Sequence, residues 1–447
     1  MTTDIGQTLA EFAVNTPYSA IPKEVVDFAK GLTLKTVAGM VVGATKPAGG
    51  SVAGLIKGRN LPHDASILGH NFKTGLWEAV FLNAFCAHAS ELEDDSFLES
   101  GGTGWDITVI PLMFPLAEKE KLSGQDFLQA TILGLEVHHR TCMFSGTHVG
   151  LGIVPPAVGP AAAAAKALGL SIKETKNAIG LATSGVNLWR PNFGTDAHFF
   201  ESAMQAMQGM MAADLAREGM TANSDVGLFL SKLLGEQVIP EKIVEDLGKR
   251  WVFGETWVKK YPSCFITHRS IDTVIELAVK HRLTYDDIES VEVHVRPEDA
   301  LCDRPNPKTE GDIQFSFQHT LGSAILNGDV CLEHITERCS DDPRLADARS
   351  KVKVIIRPEL LGKGFLTPHL VVIKTKDGRM FSGERAYAIG SPKDPLTMEQ
   401  FGELYRKFTR GVLPSPVIDR TAQLIMNLED LGDIRELTKI LAKRYTL

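Results

Sequence analysis

The 447-residue chain carries a formal net charge of −8, with 44% hydrophobic and 23% charged residues. This balance supports sizeable buried cores and excludes a disordered chain. The acidic excess argues against a general nucleic-acid or membrane-surface binder, since either meets phosphate with surplus Lys and Arg, and the length predicts more than one domain.

The opening MTTDIGQTLAEFA lacks the basic start and long apolar core of a signal peptide. The apolar stretches near Val37–Leu55 and Pro155–Leu170 are interrupted by Lys46 and Pro47 or by Pro155, Pro156 and Pro160, so neither is expected to span a bilayer. Up to about residue 255, apolar residues recur at spacings of three and four between Gly and Pro breaks, the pattern of packed helices. Trp77–Ala89, Asp126–Arg140, Gly159–Gly169 and Ser202–Arg217 read as apolar on most faces and therefore central. Their small Ala and Gly side chains let helix backbones approach closely.

Beyond residue 262 the pattern changes. Asp287–Val295 and Lys351–Arg357 alternate apolar and polar residues and are rich in Val and Ile, as half-buried strands are. His369–Phe381 is a hairpin candidate turning at Asp377-Gly378. Helical patterns lie between them at Ile271–His281 and Gln314–Leu326, and helical patterning returns after Thr397. The expected fold is mainly α: a discontinuous all-helical domain over 1–262 with 397–447, and a smaller α+β domain over 263–396. Six cysteines without a CxxC pair favour free thiols in a reducing, cytoplasmic setting.

Four segments carry chemical potential. Lys259 to His268 (KKYPSCFITH) gathers two ammonium groups, the Tyr261 phenol, the Cys264 thiol and the His268 imidazole at the composition boundary, where clefts commonly form. The plainer reading is a Pro-containing linker with solvated lysines. Glu91 to Asp95 crowds carboxylates after an apolar helix. Such crowding can raise one pKa and make a general base or acid, although a solvated helix end looks the same. His148 sits on a glycine-rich loop, placed for proton transfer or a structural hydrogen bond. The nearby Gly150-Leu151-Gly152 is no dinucleotide fingerprint, because no strand precedes it and the third glycine is missing. In the stretch from Trp189 to Glu201, which includes Arg190, His198 and Glu201 are three apart and share a helical face. They form an acid/base pair or half of a metal site. The sequence offers no HExxH or similar pattern to complete one, so no metal is expected.

The order of these segments resembles the MmgE/PrpD family, which includes 2-methylcitrate dehydratase, cis-aconitate decarboxylase and iminodisuccinate epimerase. The likeness spans essentially the whole chain. It rests on Asp94-Asp95, GPAAAAAKALGL (Gly159 to Leu170), NFGT with QGMMAADLAREG (Gln208 to Gly219), KKYPSCFITHRSID (Lys259 to Asp272) and QFSFQHTLGSAILNGDV (Gln314 to Val330). The resemblance implies a homodimer with a basic cleft, one side of it formed by the α+β domain, and cofactor-independent proton movement beside a carboxylate of a small organic acid. It implies that Asp94 is the active-site Asp, Lys259 the cation before the YPSC phrase, His268 the imidazole after it, and His148, across a short gap, the loop His. Around these, Arg190, Lys260, Tyr261 and Cys264 are the expected substrate-binding residues.

The chain also departs from the family. The family's His-Pro-Ser phrase is missing: no His occurs between Asp95 and Pro111, where the chain reads SFLESGGTGWDITVI. His198 and Glu201 stand where the family carries Lys and His. Two positive groups are therefore replaced or lost, so the expected substrate is a less charged acid than 2-methylcitrate or cis-aconitate, or one with its own cationic group. The expected activity is a dehydratase-like lyase using Asp94, His148, His198, Glu201 and His268. An epimerase or isomerase using the same proton abstraction, or a ligand-binding member without catalysis, are the alternatives.

Overall fold

A computed structural model describes residues 4–97, 105–144, 157–185, 192–235 and 238–445. The chain divides into two compact units, 1–257 with 397–447 and 258–396. The first boundary falls before Val258 rather than after Pro262, because the Val258 N–H donates to the Gly390 carbonyl (2.8 Å) and ties this segment to the smaller unit.

The larger unit begins with α1 (Ile5–Asn15), α2 (Lys23–Gly43), α3 (Pro47–Gly58) and α4 (Leu76–Ala89). It continues through α5 (Ile110–Glu120), α6 (Gly124–Cys142), α7 (Val158–Ala167), α8 (Ile172–Ala182), α9 (Asp196–Arg217), α10 (Val226–Leu234) and α11 (Pro240–Val244). After the smaller unit, α16 (Met398–Thr409), α17 (Ser415–Met426) and α18 (Arg435–Leu441) complete it. Two short antiparallel pairs join the helices: β1 (Ala65–Ser66) with β2 (Lys73–Thr74), and β3 (Asp95–Ser96) with β4 (Thr256–Trp257).

Helix starts follow the capping chemistry of the sequence. Ser123 opens α6 by accepting from the Asp126 N–H, and Ser171 and Glu174 form a reciprocal capping box on α8. The glycines permit close helix crossings. A Cβ on Gly159 would lie 2.2 Å from His138 Cβ, and one on Gly134 would lie 2.4 Å from Ala163 Cβ, so α6 and α7 meet nearly backbone to backbone. At the α2–α4 crossing a Cβ on Gly43 would sit 1.8 Å from the Cys86 carbonyl oxygen. Gly43→Ala is therefore expected to destabilise the protein by about 1–3 kcal/mol through forced separation of these helices. A urea midpoint equal to that of the parent would contradict it.

Buried ions fasten α6 to the loop after α11. Arg140, 1% exposed, pairs with Glu136 (2.5 Å) and donates to the carbonyls of Ile243 (3.1 Å), Glu245 (2.7 Å) and Arg250 (2.7 Å). Glu136 in turn accepts from the Phe253 N–H at 3.1 Å.

The smaller unit holds a four-stranded sheet in the order β6-β5-β7-β8: β5 (Ile288–Val295), β6 (Val352–Ile356), β7 (His369–Thr375) and β8 (Met380–Arg385). β5 runs parallel to β6 and antiparallel to β7, and β7–β8 is the expected hairpin, turning where Gly378 adopts a φ of +89°. Its helices are α12 (Phe265–His281), α13 (Glu310–Gln314), α14 (Phe317–Asn327) and α15 (Pro343–Ser350). α12 starts earlier than its apolar periodicity suggests. The single helix expected from Gln314 to Leu326 is instead broken at Phe315, where Ser316 caps α14 by accepting from the His319 N–H (3.0 Å). Among the described residues, no helix is long and apolar enough to cross a membrane.

Candidate functional site

Each unit carries its own group of buried polar side chains. In the larger one, α4 is apolar around most of its circumference, so its burial draws His88 and the following acidic stretch inward. Glu91, Glu93, Asp94 and Asp95 are 3%, 6%, 0% and 8% exposed, which rules out a solvated helix end. Glu91 turns the chain with a left-handed φ of +56°, and Asp95 then enters the short ladder opposite Trp257.

Lys35 from α2 reaches this stretch without any exposure of its own. Its ammonium lies 3.9 Å from Asp94 Oδ1, 3.3 Å from the Leu92 carbonyl and 4.6 Å from the Phe408 ring centroid. Asp106, on a short 3-10 turn (Asp106–Thr108), accepts from the Asp94 N–H at 3.0 Å. Its carboxyl pKa is pushed well above the ordinary 3.8, first by burial and then by the charge of Asp94.

His88 and His198 pack with ring centroids 4.3 Å apart and planes tilted by 59°, beside Trp105 at 5.0 and 5.4 Å. Ser202 Oγ lies 2.8 Å from His88 Nδ1 and 3.1 Å from the Phe199 carbonyl oxygen. His88 Nε2 is 4.0 Å from Glu93 Oε1. His198 and Glu201 share a face of α9 as their spacing predicts: Nδ1 lies 3.3 Å from Oε2, and Asn192 Nδ2 donates to Oε1 at 2.7 Å. This carboxylate–imidazole contact fixes the orientation of the His198 ring.

A metal has one candidate set among the described residues, His88, Glu91 and Glu93, whose ligand atoms lie within 4.8 Å of one another. Bonds of 2.0–2.2 Å place donor atoms roughly 3–3.5 Å apart. The 4.0 Å between His88 Nε2 and Glu93 Oε1 is wider.

In the smaller unit, the segment before α12 is buried rather than linker-like. Lys259 is 1% exposed, with its ammonium 5.4 Å from the Phe265 ring centroid. Lys260 and Tyr261 both turn to Asp272: the ammonium is 3.4 Å from Oδ1, and the phenol donates to the same oxygen at 2.8 Å. Burial, with Asp272 beside it, pushes the Tyr261 phenol up, so it stays protonated. Cys264 caps α12 and donates its N–H to the Gln314 carbonyl (3.0 Å). His268, fully buried, lies between the rings of Tyr261 (5.2 Å) and Phe265 (4.9 Å). Its Nε2 is 3.0 Å from the Ser263 carbonyl, an acceptor only, so Nε2 carries the hydrogen and the basic nitrogen of the neutral ring is Nδ1. A cleft of about 500 Å³ between α12 and β8 is lined by Glu276, Lys280, Arg385, Lys393 and Asp394 among others, and by none of the candidate residues.

Asp94, His198 and Glu201 thus lie in the larger unit, with His198 and Glu201 in contact, and Lys259, Lys260, Tyr261, Cys264 and His268 lie in the smaller. His148 and Arg190 lie outside the described residues. Sequence reasoning missed Lys35, His88, Asp106 and Ser202. Lys35 had a detectable signal, a lysine within an otherwise apolar helical run (LTLKTVAGMVV). Asp106 lies in the stretch where the His-Pro-Ser phrase was sought.

Comparison with known proteins matches residues 7–228 to the MmgE/PrpD N-terminal domain and residues 261–430 to the MmgE/PrpD C-terminal domain. Similar curated proteins include cis-aconitate decarboxylase of Homo sapiens, 26% identical over 383 residues, covering 81% of this chain and 79% of that protein. A cis-aconitate decarboxylase-like protein of Aspergillus oryzae is 26% identical over 459 residues, 95% of this chain and 94% of the relative. Cis-aconitate decarboxylase of Aspergillus terreus is 25% identical over 480 residues, covering 98% and 96%.

Proposed function

Since the chain belongs to the MmgE/PrpD family, we propose that it is a cofactor-independent lyase that removes a proton beside a carboxylate of a small organic acid, with Asp94 as the base. The observation that carries this is the buried Asp94 carboxylate held beside the Lys35 ammonium. An ammonium this close keeps a buried carboxylate ionised, the form that can accept a proton. Cations elsewhere on the substrate stabilise the charge that develops when a C–H adjacent to a carboxylate gives up its proton. The His198–Glu201 pair, in the same unit as Asp94, is the proposed acid that returns a proton to carbon or to a leaving group.

The relatives are named for cis-aconitate, but Glu201 adds a buried carboxylate where the resemblance implied a cationic group. The substrate proposed here therefore has fewer carboxylates than cis-aconitate, or an ammonium or imino group to meet Glu201. A panel of hydroxy, unsaturated and amino acids, with cis-aconitate included, tests the reading by ultraviolet absorbance and CO2 release. No change with any member would sink it. The presence of a second acid/base pair, His198–Glu201, favours epimerisation as the alternative. Deuterium uptake from solvent without net elimination would select that one.

Glu201→His removes the anion and adds a potential cation. It is expected to tighten binding of a tricarboxylate roughly tenfold or more, the value of one charge-assisted contact. Calorimetric titration with citrate measures this, and equal affinity in both forms would remove Glu201 from the binding surface.

A further inference from the structure

The larger unit holds a second cavity, which the proposed chemistry does not use. It measures about 380 Å³, within the range of small-molecule sites, and opens where the end of α2, the turn at Gly69, the turn after α16 and the C-terminal segment meet. Its lining includes Thr45, Gly69, Gly411, Lys443, Arg444 and Tyr445, and no described Asp or Glu. In a chain of net charge −8, that is a local reversal of sign.

The walls are fixed by backbone bonds. The Gly69 N–H donates to the Leu441 carbonyl (2.8 Å) and the Asn71 N–H to the Ala442 carbonyl (2.7 Å), which clamps the C-terminal segment to the turn. Gly69 has a φ of +75°, and a Cβ there would lie 2.8 Å from Ala44 Cβ, so glycine lets the turn close on the end of α2. Two hydroxyls of the lining spend their hydrogens within the wall. Thr45 Oγ1 donates to the Val42 carbonyl (2.7 Å), and Tyr445 Oη donates to the Ile440 carbonyl (3.0 Å).

The attraction for a ligand comes from Lys443 and Arg444. Both are exposed at the rim, and among the described residues neither pairs with a carboxylate. An ammonium beside a planar guanidinium fork suits an oxyanion, which can accept from both. The Arg444 charge already reaches one neighbour: burial first, and that charge second, hold the His70 imidazole down at about 4.

We propose that this cavity binds a small, multiply charged oxyanion, a phosphate or a di- or tricarboxylate, through Lys443 and Arg444, as a site separate from that of Asp94. Lys35, the cation beside Asp94, precedes the end of α2 at Gly43 by roughly 12 Å of helix. The walls come from both ends of the larger unit's sequence, so a bound anion would also fasten the C-terminal segment to α2.

The test is calorimetric titration of the full-length protein with inorganic phosphate and with citrate, at an ionic strength held constant with chloride, alongside nuclear magnetic resonance of the His70 ring. The expected result is a saturable event with a Kd of about 1 mM or tighter. His70 should titrate higher when the anion is bound, because an anion on Arg444 offsets the charge that lowers it. Lys443→Gln combined with Arg444→Gln is expected to weaken that event roughly tenfold or more, the value of a lost charge-assisted contact, and to abolish the His70 response. Tighter phosphate would assign a phosphoryl ligand and tighter citrate a polycarboxylate; either supports the site. No saturable binding of either anion, equal affinity in parent and variant, or an equal His70 response to chloride alone would overturn the proposal. If the double variant does not fold, Arg444→Gln alone decides by the same readouts. Phosphate binding needs no turnover, so failure of Asp94 as the base would leave this result standing.

Discussion

Asp94→Asn is expected to lower kcat roughly 10²–10⁴-fold on whichever acid the parent protein turns over, the usual contribution of a positioned base. The amide keeps the shape of the side chain, and the backbone N–H still reaches Asp106. Lys35 is left without its carboxylate, which costs about 3–5 kcal/mol of stability when a buried ion loses its partner. Activity lost through unfolding must therefore be separated from activity lost through chemistry. The double variant Lys35→Met with Asp94→Asn removes both ions and is expected to regain stability while staying inactive. An Asp94→Asn protein that folds and keeps turnover within a few-fold of the parent would end Asp94's candidacy as the base.

The second large effect lies in the scaffold. Arg140→Met is expected to destabilise the protein by about 3–5 kcal/mol, because it strips Glu136 of its cation inside the core. It also leaves the carbonyls of Ile243, Glu245 and Arg250 without their donor. The segment from Ile243 to Phe253 leads into Thr256–Trp257, which pairs with Asp95–Ser96. Loss of Arg140 should therefore loosen the acidic stretch as well as lower the melting temperature. Hydrogen exchange at the amides of residues 252–257 is the sensitive measurement. A melting temperature within a degree or two of the parent would show that the ion pair contributes little.

Much of the fold was legible because its determinants are local. The alternation of KVKVIIR and DIESVEVHV, the Asp377-Gly378 turn and the apolarity of WEAVFLNAFCAHA (Trp77 to Ala89) each specify one element through patterning or turn chemistry. The break at Phe315 was not legible. A serine within a helical pattern is also compatible with a continuous helix, and only the tertiary course of the chain made it a cap. The site divides in the same way. His198 and Glu201 were paired by their spacing on one helix, and Asp94 by its place in a motif. Lys35 and Asp106 reach Asp94 from other elements across long sequence separations, where no periodicity connects them. Lys260 and Tyr261 stood out by their chemistry, but their contacts with Asp272, about two turns into α12, were not legible from spacing.

The larger unit is interrupted in sequence, and this has a consequence for biosynthesis. On the ribosome, the stretch 258–396 is continuous and can fold as soon as it emerges, since domains generally fold as units during synthesis. The Lys35 ammonium has to wait: the Phe408 ring beneath it belongs to α16, and the neighbouring Lys30 pairs with Glu429, both translated after the smaller unit is finished. Until those last helices arrive, a lysine and several carboxyls destined for the interior remain hydrated and α2 lacks its covering. Nascent chains halted before residue 397 should thus display a protease-resistant smaller unit attached to an open, chaperone-accessible helical half.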